Sequence, residues 1–270
     1  MEINEQLGDL SGKATLLNNI GLIYKAQGNI PEALRRFEEA LQIDEQLGNL
    51  RGKATRLNNI GSIYKAQGNY PEALKRYEEA LQIDEQLGDL SGKAVRLNNI
   101  GMIYNAKGNY PEALKRYEEA LQIDEQLGDL NGKATLLNNI GGLYDAQGNY
   151  PEALKRYEQA LQITDQLGDL SRKAGCLNNI GFIYKAQGNY PEALKRYEQA
   201  LQIDEQLGNM SGKAICLNNI ASIHYAQGNY PEALKRYEEA LQILNVLGLS
   251  ESPNAKNIKE NIEFLKSKMK

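Results

Sequence analysis

The chain has 270 residues, a formal net charge of −4, no tryptophan and a mean hydropathy of −0.56. The mild acidity argues against general binding of nucleic-acid backbones, which requires a basic face. No apolar run is long enough to cross a bilayer and no charged-then-apolar leader opens the sequence, so we expect a cytoplasmic protein without membrane contact.

One sequence block occurs six times along the chain. Its Lys-Ala dipeptide recurs with a period of 40 residues, at Lys13, Lys53, Lys93, Lys133, Lys173 and Lys213. Each copy continues with LNNI, AQG or AKG, PEAL and ALQI. The opening residues resemble residues 81–90, which predicts a partial leading helix over 1–8. A fixed period of this length predicts an array of stacked units in place of one or two conventional domains.

The signals within each copy predict a pair of helices. In the second copy an apolar stripe at helical spacing marks the first helix, at Leu57, Ile60, Gly61 and Tyr64. Polar residues placed to cap this helix precede the stripe, at Asp9, Asn49, Asp89, Asp129 and Asp169. Gly68 then ends the first helix, Pro71 opens the second and Gly88 ends it. We expect small residues where helices cross, at Gly61, Ala73 and Ala80, with Tyr77 filling the gap between pairs.

These residues carry a family resemblance. The pattern L-x-x-I-G-x-x-Y followed by G-N-Y-P-E-A-L-x-x-Y-x-x-A-L resembles the tetratricopeptide repeat, in a long form similar to the repeats of kinesin light chains, spindle-orientation adaptors and bacterial and archaeal regulators. The resemblance implies an all-α fold over residues 1–252, an α-solenoid of six stacked helix-turn-helix units wound as a right-handed superhelix. It also implies a scaffold for protein–protein interaction and leaves the ligand open.

The last residues depart from the repeat. Ser252 and Pro253 open a final segment, 253–270, with one apolar stripe at Ala255, Ile258, Ile262, Leu265 and Met269. We expect this segment to be a capping helix, because the end of a repeat array needs a cover with a polar outer face. Extra apolar residues in the last copy, Leu244 among them, fit such a neighbour.

A few columns change between copies, and most of them share one face of the first helix with an invariant asparagine. The resemblance implies that this face lines a concave groove. The invariant column is Asn18, Asn58, Asn98, Asn138, Asn178 and Asn218. The changing residues proposed for the groove are Lys25, Lys65, Met102, Asn105, Asp145, Phe182, Lys185 and Tyr225. Asparagine amides both donate and accept hydrogen bonds, so this column is suited to an extended peptide backbone while the changing residues select its sequence.

Two alternatives remain open for these columns. The invariant asparagines could instead tie neighbouring helices together, although the adjacent column is the stronger candidate for that role: Asn19, Asn59, Asn99, Asn139, Asn179 and Asn219. The changing columns could also reflect drift after recent duplication. Arg56 and Arg96 add positive charge that favours acidic groups, or they lie at the packing edge with their heads in water.

No catalytic chemistry is indicated. The chain lacks G-x-x-x-x-G-K-[ST], G-x-S-x-G and H-E-x-x-H motifs. Cys176 and Cys216 are expected to be free, apolar packing residues, and a zinc site with His224 has too few ligands. His224 and Ala221 replace the tyrosine and glycine of other copies and are expected to be core substitutions. The acidic residues of YEEALQIDEQ are expected to form a solvated face. We therefore expect no enzyme, no cofactor and no metal.

The leading hypothesis is a scaffold that binds an extended peptide or a partner helix in its groove. The first alternative is an array that associates with itself through an uncapped N-terminal end. An RNA-binding helical array is disfavoured by the period and the acidity, and a chaperone-tail clamp by the residues that follow the asparagine column. The evenness of the copies also leaves open a consensus-like or trimmed array without a natural ligand.

Overall fold

A computed structural model describes the backbone of residues 2–269 and the side chains of residues 10–269. The described residues form thirteen α-helices and no strand. The bounds are α1 (Glu2–Ala26), α2 (Ile30–Gln46), α3 (Leu50–Ala66), α4 (Tyr70–Leu87), α5 (Leu90–Ala106), α6 (Tyr110–Leu127), α7 (Leu130–Ala146), α8 (Tyr150–Leu167), α9 (Leu170–Ala186), α10 (Tyr190–Leu207), α11 (Met210–Ala226), α12 (Tyr230–Val246) and α13 (Pro253–Lys268). Six helix pairs followed by a single helix confirm the predicted all-α architecture.

Local signals account for the helix ends. The Asn69 side chain accepts a hydrogen bond from the backbone N–H of Glu72 at the start of α4, where Pro71 occupies the first turn. Gly88 ends α4 with a φ of 65°, a left-handed conformation that glycine adopts without a steric penalty. Asn49 caps α3 in the predicted way, accepting from Gly52 at 3.1 Å.

The first helix differs from its prediction. α1 runs from Glu2 to Ala26 without interruption, so the predicted leading helix over 1–8 is continuous with it. The cap predicted at Asp9 is wrong, because Asp9 lies inside this helix. Asn49 and its counterparts cap helices that follow a glycine of positive φ, whereas Gly8 is helical and leaves no helix end to be capped.

The helices pack into two compact units, residues 1–132 and 133–270. In the first unit α4 packs against both α3 and α5. Its Ala80 and Ile83 form a cluster with residues of α3, and Ala73 and Tyr77 form one with Ile100 and Ile103 of α5. α4 is thus shared between two first helices, which is why a single pair would not bury its apolar stripe.

Close helix crossing explains the invariant glycine of the first helix. A Cβ atom built on Gly61 would lie 2.8 Å from the ring of Tyr77, which is fully buried. The predicted roles of Gly61 and Tyr77 are therefore confirmed, as are those of Ala73 and Ala80, which are also fully buried.

The second unit ends in the predicted cap. α13 packs against α12, and its Ala255, Ile258 and Leu265 are fully buried in a cluster that also contains Leu244 of α12. Ser252 caps α13 by accepting from the backbone N–H of Ala255 at 3.2 Å. Met269 is the exception to the predicted stripe, because it lies just beyond the last helical residue and is 47% exposed.

Candidate functional site

The two asparagine columns are joined by hydrogen bonds between neighbouring repeats. In each bond the Nδ2 of the second asparagine donates to the Oδ1 of the first asparagine in the preceding repeat. Such pairs are Asn59 to Asn18 at 2.7 Å and Asn99 to Asn58, Asn179 to Asn138 and Asn219 to Asn178 at 2.9 Å. The predicted tie through the second column is thus present, and it includes the first column as its acceptor.

This tie determines what the first column offers to a ligand. The bond engages the amide oxygen of Asn58, Asn138 and Asn178, whose side chains are half-buried. An amide oxygen has two lone pairs, so the bond takes up one acceptor position and none of the amide N–H donors of these residues. Carbonyl and carboxylate oxygens are the groups that complement those donors.

The changing residues lie beside the asparagines and contact one another across repeats. Lys25 Nζ donates to Ser62 Oγ at 2.8 Å, and Lys185 Nζ donates to Ser222 Oγ at 2.7 Å. Lys65 Nζ lies 3.6 Å from the Met102 sulfur. These contacts place two of the changing columns next to each other on the first-helix face in each unit.

The face differs in charge along the chain. Lys25 and Lys65 make it positive in the first unit, where burial and then the charge of Lys25 lower the pKa of Lys65. In the second unit burial raises the pKa of Asp145 and lowers the pKa of Lys185. The first-helix face of the second unit therefore carries both an acidic and a basic position.

Aromatic residues on the second unit are unevenly exposed. Phe182 is 48% exposed. Tyr225 is 39% exposed, and its ring centroid lies 6.1 Å from that of Phe264 on α13. The capping helix therefore covers part of Tyr225, a contact that the repeat pattern did not predict. Asn105 is half-buried on α5.

Arg56 and Arg96 do not belong to the open face. Arg56 Nε lies 3.0 Å from Asp44 Oδ2, and Arg96 Nε lies 3.1 Å from Asp84 Oδ2, with all four residues buried. The prediction that these arginines attract acidic ligands or keep their heads in water is wrong. Each is an internal partner for a carboxylate on the preceding second helix.

The prediction of a solvated acidic face is wrong for one column of the second helix. Its members Asp44, Asp84, Asp124 and Asp204 are all buried. Asn49 and Asn209 each donate through Nδ2 to one of these carboxylates at 2.7 Å. Where the capping residue is an aspartate, its charge repels the buried carboxylate. At Asp124, burial together with the charge of the capping residue Asp129 raises the pKa to about 6. The signal that was missed is a paired change within the chain: Thr164 replaces the aspartate of its column, and Arg172 replaces the glycine found eight residues later in the other copies.

No cluster of three or more metal-ligating residues is found in the described part of the chain. Both cysteines are free and buried, and burial raises the pKa of Cys176 to about 11 and of Cys216 to about 12. Such thiols are unreactive packing groups. Among the described helices none has the length and apolar character of a membrane span.

The repeated pair, its glycine–tyrosine crossing and its first-helix face define a helical repeat scaffold. Family models described as tetratricopeptide repeat match residues 12–86, 94–166 and 174–245, and a second such model matches 58–127. The chain belongs to the tetratricopeptide repeat family. Membership supports a protein-interaction scaffold.

Comparison with solved structures supports the same fold. The tetratricopeptide repeat sensor protein of the STAND ATPase group from Pyrococcus horikoshii has a TM-score of 0.73 and 20% identity, over 93% of this chain and 38% of that one. A Rap protein complexed with Competence and Sporulation Factor has a TM-score of 0.68 and 16% identity, over 95% of this chain and 75% of that one. BtubC from P. vanneervenii has a TM-score of 0.67 and 18% identity, over 92% of this chain and 93% of that one. Identities this low establish the fold alone. A search of curated proteins returns no match.

Proposed function

We propose that this protein is a non-enzymatic scaffold that binds an extended peptide segment of a partner along the first-helix face of its repeats. The observation that supports the proposal is that, within each unit, asparagine amide oxygens are engaged by the next repeat, which leaves the amide N–H groups of Asn58, Asn138 and Asn178 as donors for a ligand. An extended backbone supplies carbonyl oxygens at regular intervals, which such donors complement. The Rap complex with Competence and Sporulation Factor supports the idea that this fold accommodates a binding partner.

The test separates the ligand role of the asparagines from their structural role. The test variant combines Asn58→Asp, Asn138→Asp and Asn178→Asp. Each aspartate keeps a side-chain oxygen that can accept from the next repeat and removes the amide N–H donors. We expect wild type to enrich a sequence motif from a displayed random-peptide library and the triple variant to enrich none. Helicity and thermal stability should change little, because the inter-repeat bond has an acceptor in both proteins.

A matched control carries the same added charge elsewhere. Gln82→Glu, Gln162→Glu and Gln202→Glu place three negative charges on exposed second-helix positions. This control should enrich the wild-type motif. If the aspartate variant still enriches the wild-type motif, the asparagine column is not the peptide-binding site. A wild type that enriches no motif would overturn the peptide-binding function.

A second candidate function, self-association, is favoured by the exposed edge of α1. Leu16 is 60% exposed and Ile23 is 57% exposed. Their counterparts in later repeats are covered, as at Leu136, Ile63 and Ile183, which are 2%, 0% and 0% exposed. Because α13 covers the last repeat, the expected contact is edge to edge between the α1 helices of two copies.

This candidate predicts a concentration-dependent mass. Sedimentation velocity of wild type should show a monomer–dimer equilibrium, and Leu16→Asp with Ile23→Asp should shift it to monomer. Leu22→Asp is the control on the same helix, since Leu22 is 43% exposed but lies in a groove column. A wild type that stays monomeric at all concentrations, or a dimer unaffected by the edge variant, would contradict self-association through α1.

A further inference from the structure

One pocket interrupts the first-helix face of the second unit. It has a volume of about 320 Å³ and lies between α7 and α9, on the side of the asparagine column. The residues that determine its chemistry are Thr135, Asn138, Arg172, Gly175, Cys176 and Asn178. A space of this volume holds one side chain of a bound peptide.

The pocket arises from residues that occur in one copy only. Gly175 occupies a column that elsewhere holds threonine, valine or isoleucine, and a Cβ atom built on it meets nothing within 4 Å. Arg172 replaces a glycine found in the five other copies. The lost side chain at Gly175 opens the space, and the gained side chain at Arg172 places a cation at its edge.

A change on the preceding second helix removes the obstacle to an arginine at this position. In other repeats a Cβ atom at the glycine would lie against a buried carboxylate, 2.4 Å from Asp44 at Gly52 and 2.6 Å from Asp84 at Gly92. Thr164 stands in place of that aspartate, and its hydroxyl donates to the carbonyl of Leu161 in its own helix at 2.9 Å. The exchange at Thr164 thus removes the steric obstacle to Arg172, which lines the same pocket as Gly175.

The polar groups around the pocket are mainly donors. Asn138 and Asn178 have their oxygens engaged by Asn179 and Asn219, which leaves their amide N–H groups. The Arg172 side chain is 44% exposed, and its Nε lies 3.4 Å from Asp169. Because nearly half of this side chain is exposed, its guanidinium is accessible to an anion that enters the pocket.

We propose that this pocket selects an acidic residue, aspartate or glutamate, at one position of the bound peptide. Its carboxylate accepts from the guanidinium of Arg172 and from an asparagine amide, while its methylene groups lie over Gly175 and Cys176. Charge-assisted bonds to a carboxylate are about twice as strong as neutral ones, which gives the position a preference for acid over amide. The inference rests on the proposed peptide-binding function and adds its specificity.

Two variants taken from the other repeats test the pocket without disturbing the fold. Arg172→Gly restores the glycine of five copies, and Gly175→Thr fills the space with the threonine found at Thr15, Thr55 and Thr135. The probe is a displayed random-peptide library, followed by synthetic pairs of enriched peptides that differ by glutamate or glutamine at one position. We expect wild type to bind the glutamate peptide about tenfold more tightly. Each variant should bind the two peptides equally and still enrich the rest of the motif.

The outcomes distinguish this inference from the function it rests on. A wild-type motif without an acidic position, or an acid preference that survives both variants, would overturn the pocket assignment and leave peptide binding intact. A wild type that enriches no motif would overturn both. Loss of the whole motif in Gly175→Thr but not in Arg172→Gly would show that the pocket admits a side chain without selecting its charge, and the acidic assignment would be wrong.

Discussion

Replacing Arg96 by leucine is expected to destabilise the second and third repeats by about 3 kcal/mol, since it leaves a buried carboxylate without its cation. Arg96 Nε lies 3.1 Å from Asp84 Oδ2, and the two side chains are 10% and 3% exposed. The loss should appear as a lower urea midpoint and as faster hydrogen exchange confined to α4 and α5, because each repeat contacts only its neighbours.

The pH dependence of the variant gives a second signature. Burial raises the pKa of Asp84, the charge and the hydrogen bond of Arg96 lower it, and the charge of Asp89 raises it, with a net rise above the ordinary value. Without Arg96 the environment becomes that of Asp124, which has no cationic partner among the described residues and a pKa of about 6. A carboxyl group with a folded pKa above its unfolded value binds more protons when folded, so the deficit of the variant should shrink as pH falls from 7 towards 5.

Other repeats supply the matched controls. Adding Asp84→Thr to the Arg96→Leu variant should recover most of the lost stability. Thr164 is buried at the equivalent position of a later repeat, and its hydroxyl is hydrogen-bonded inside its own helix. Adding Asp89→Asn instead should recover part of it, since Asn49 donates to Asp44 in the first junction. If Arg96→Leu alone is as stable as wild type at pH 7, or if its stability deficit persists at pH 5, Arg96 and Asp84 do not form a buried ion pair in solution.

The aspartate column shows where sequence reasoning reached its limit. Helix pairs, glycine stops and the cap follow from local spacing, and the structure confirms them at Gly61, Gly88 and Ile258. Burial of Asp84 depends on the register between α4 and α5, which no single helix encodes. An acidic residue in a polar segment is therefore assigned to solvent unless the paired change at Thr164 and Arg172 is noticed.

The asparagine columns show a different limit. Their position on the first-helix face follows from the helical angle between residues, and on that face Lys25 contacts Ser62 of the next repeat. The two columns are not alternatives for the tie between repeats, because one hydrogen bond uses both, as between Asn99 and Asn58. Only the packed arrangement shows which amide atom is engaged and thus which ligand groups fit.

Removing α13 by ending the chain at residue 252 is expected to convert a stable last repeat into an associating one. The cap contributes Ile258 and Leu265, both fully buried, and it covers Leu244, which is 4% exposed. Losing these contacts should lower the stability of the last repeat by on the order of 5 kcal/mol, from the apolar area returned to water. Light scattering of the shortened protein should show mass that rises with concentration, and thermal unfolding should begin earlier than in the full chain.

Leu244 provides the control, because it replaces the aspartate of its column. In the shortened chain position 244 faces water, so Leu244→Asp should reduce the association while leaving the lost helix contacts unrestored. The same substitution in the full chain should destabilise it, since a carboxylate would then be buried against α13 without a cation. Opposite effects of one substitution in the two chains would establish that Leu244 belongs to the cap interface. A shortened protein that remains monomeric and unfolds like the full chain would contradict a capping role for α13.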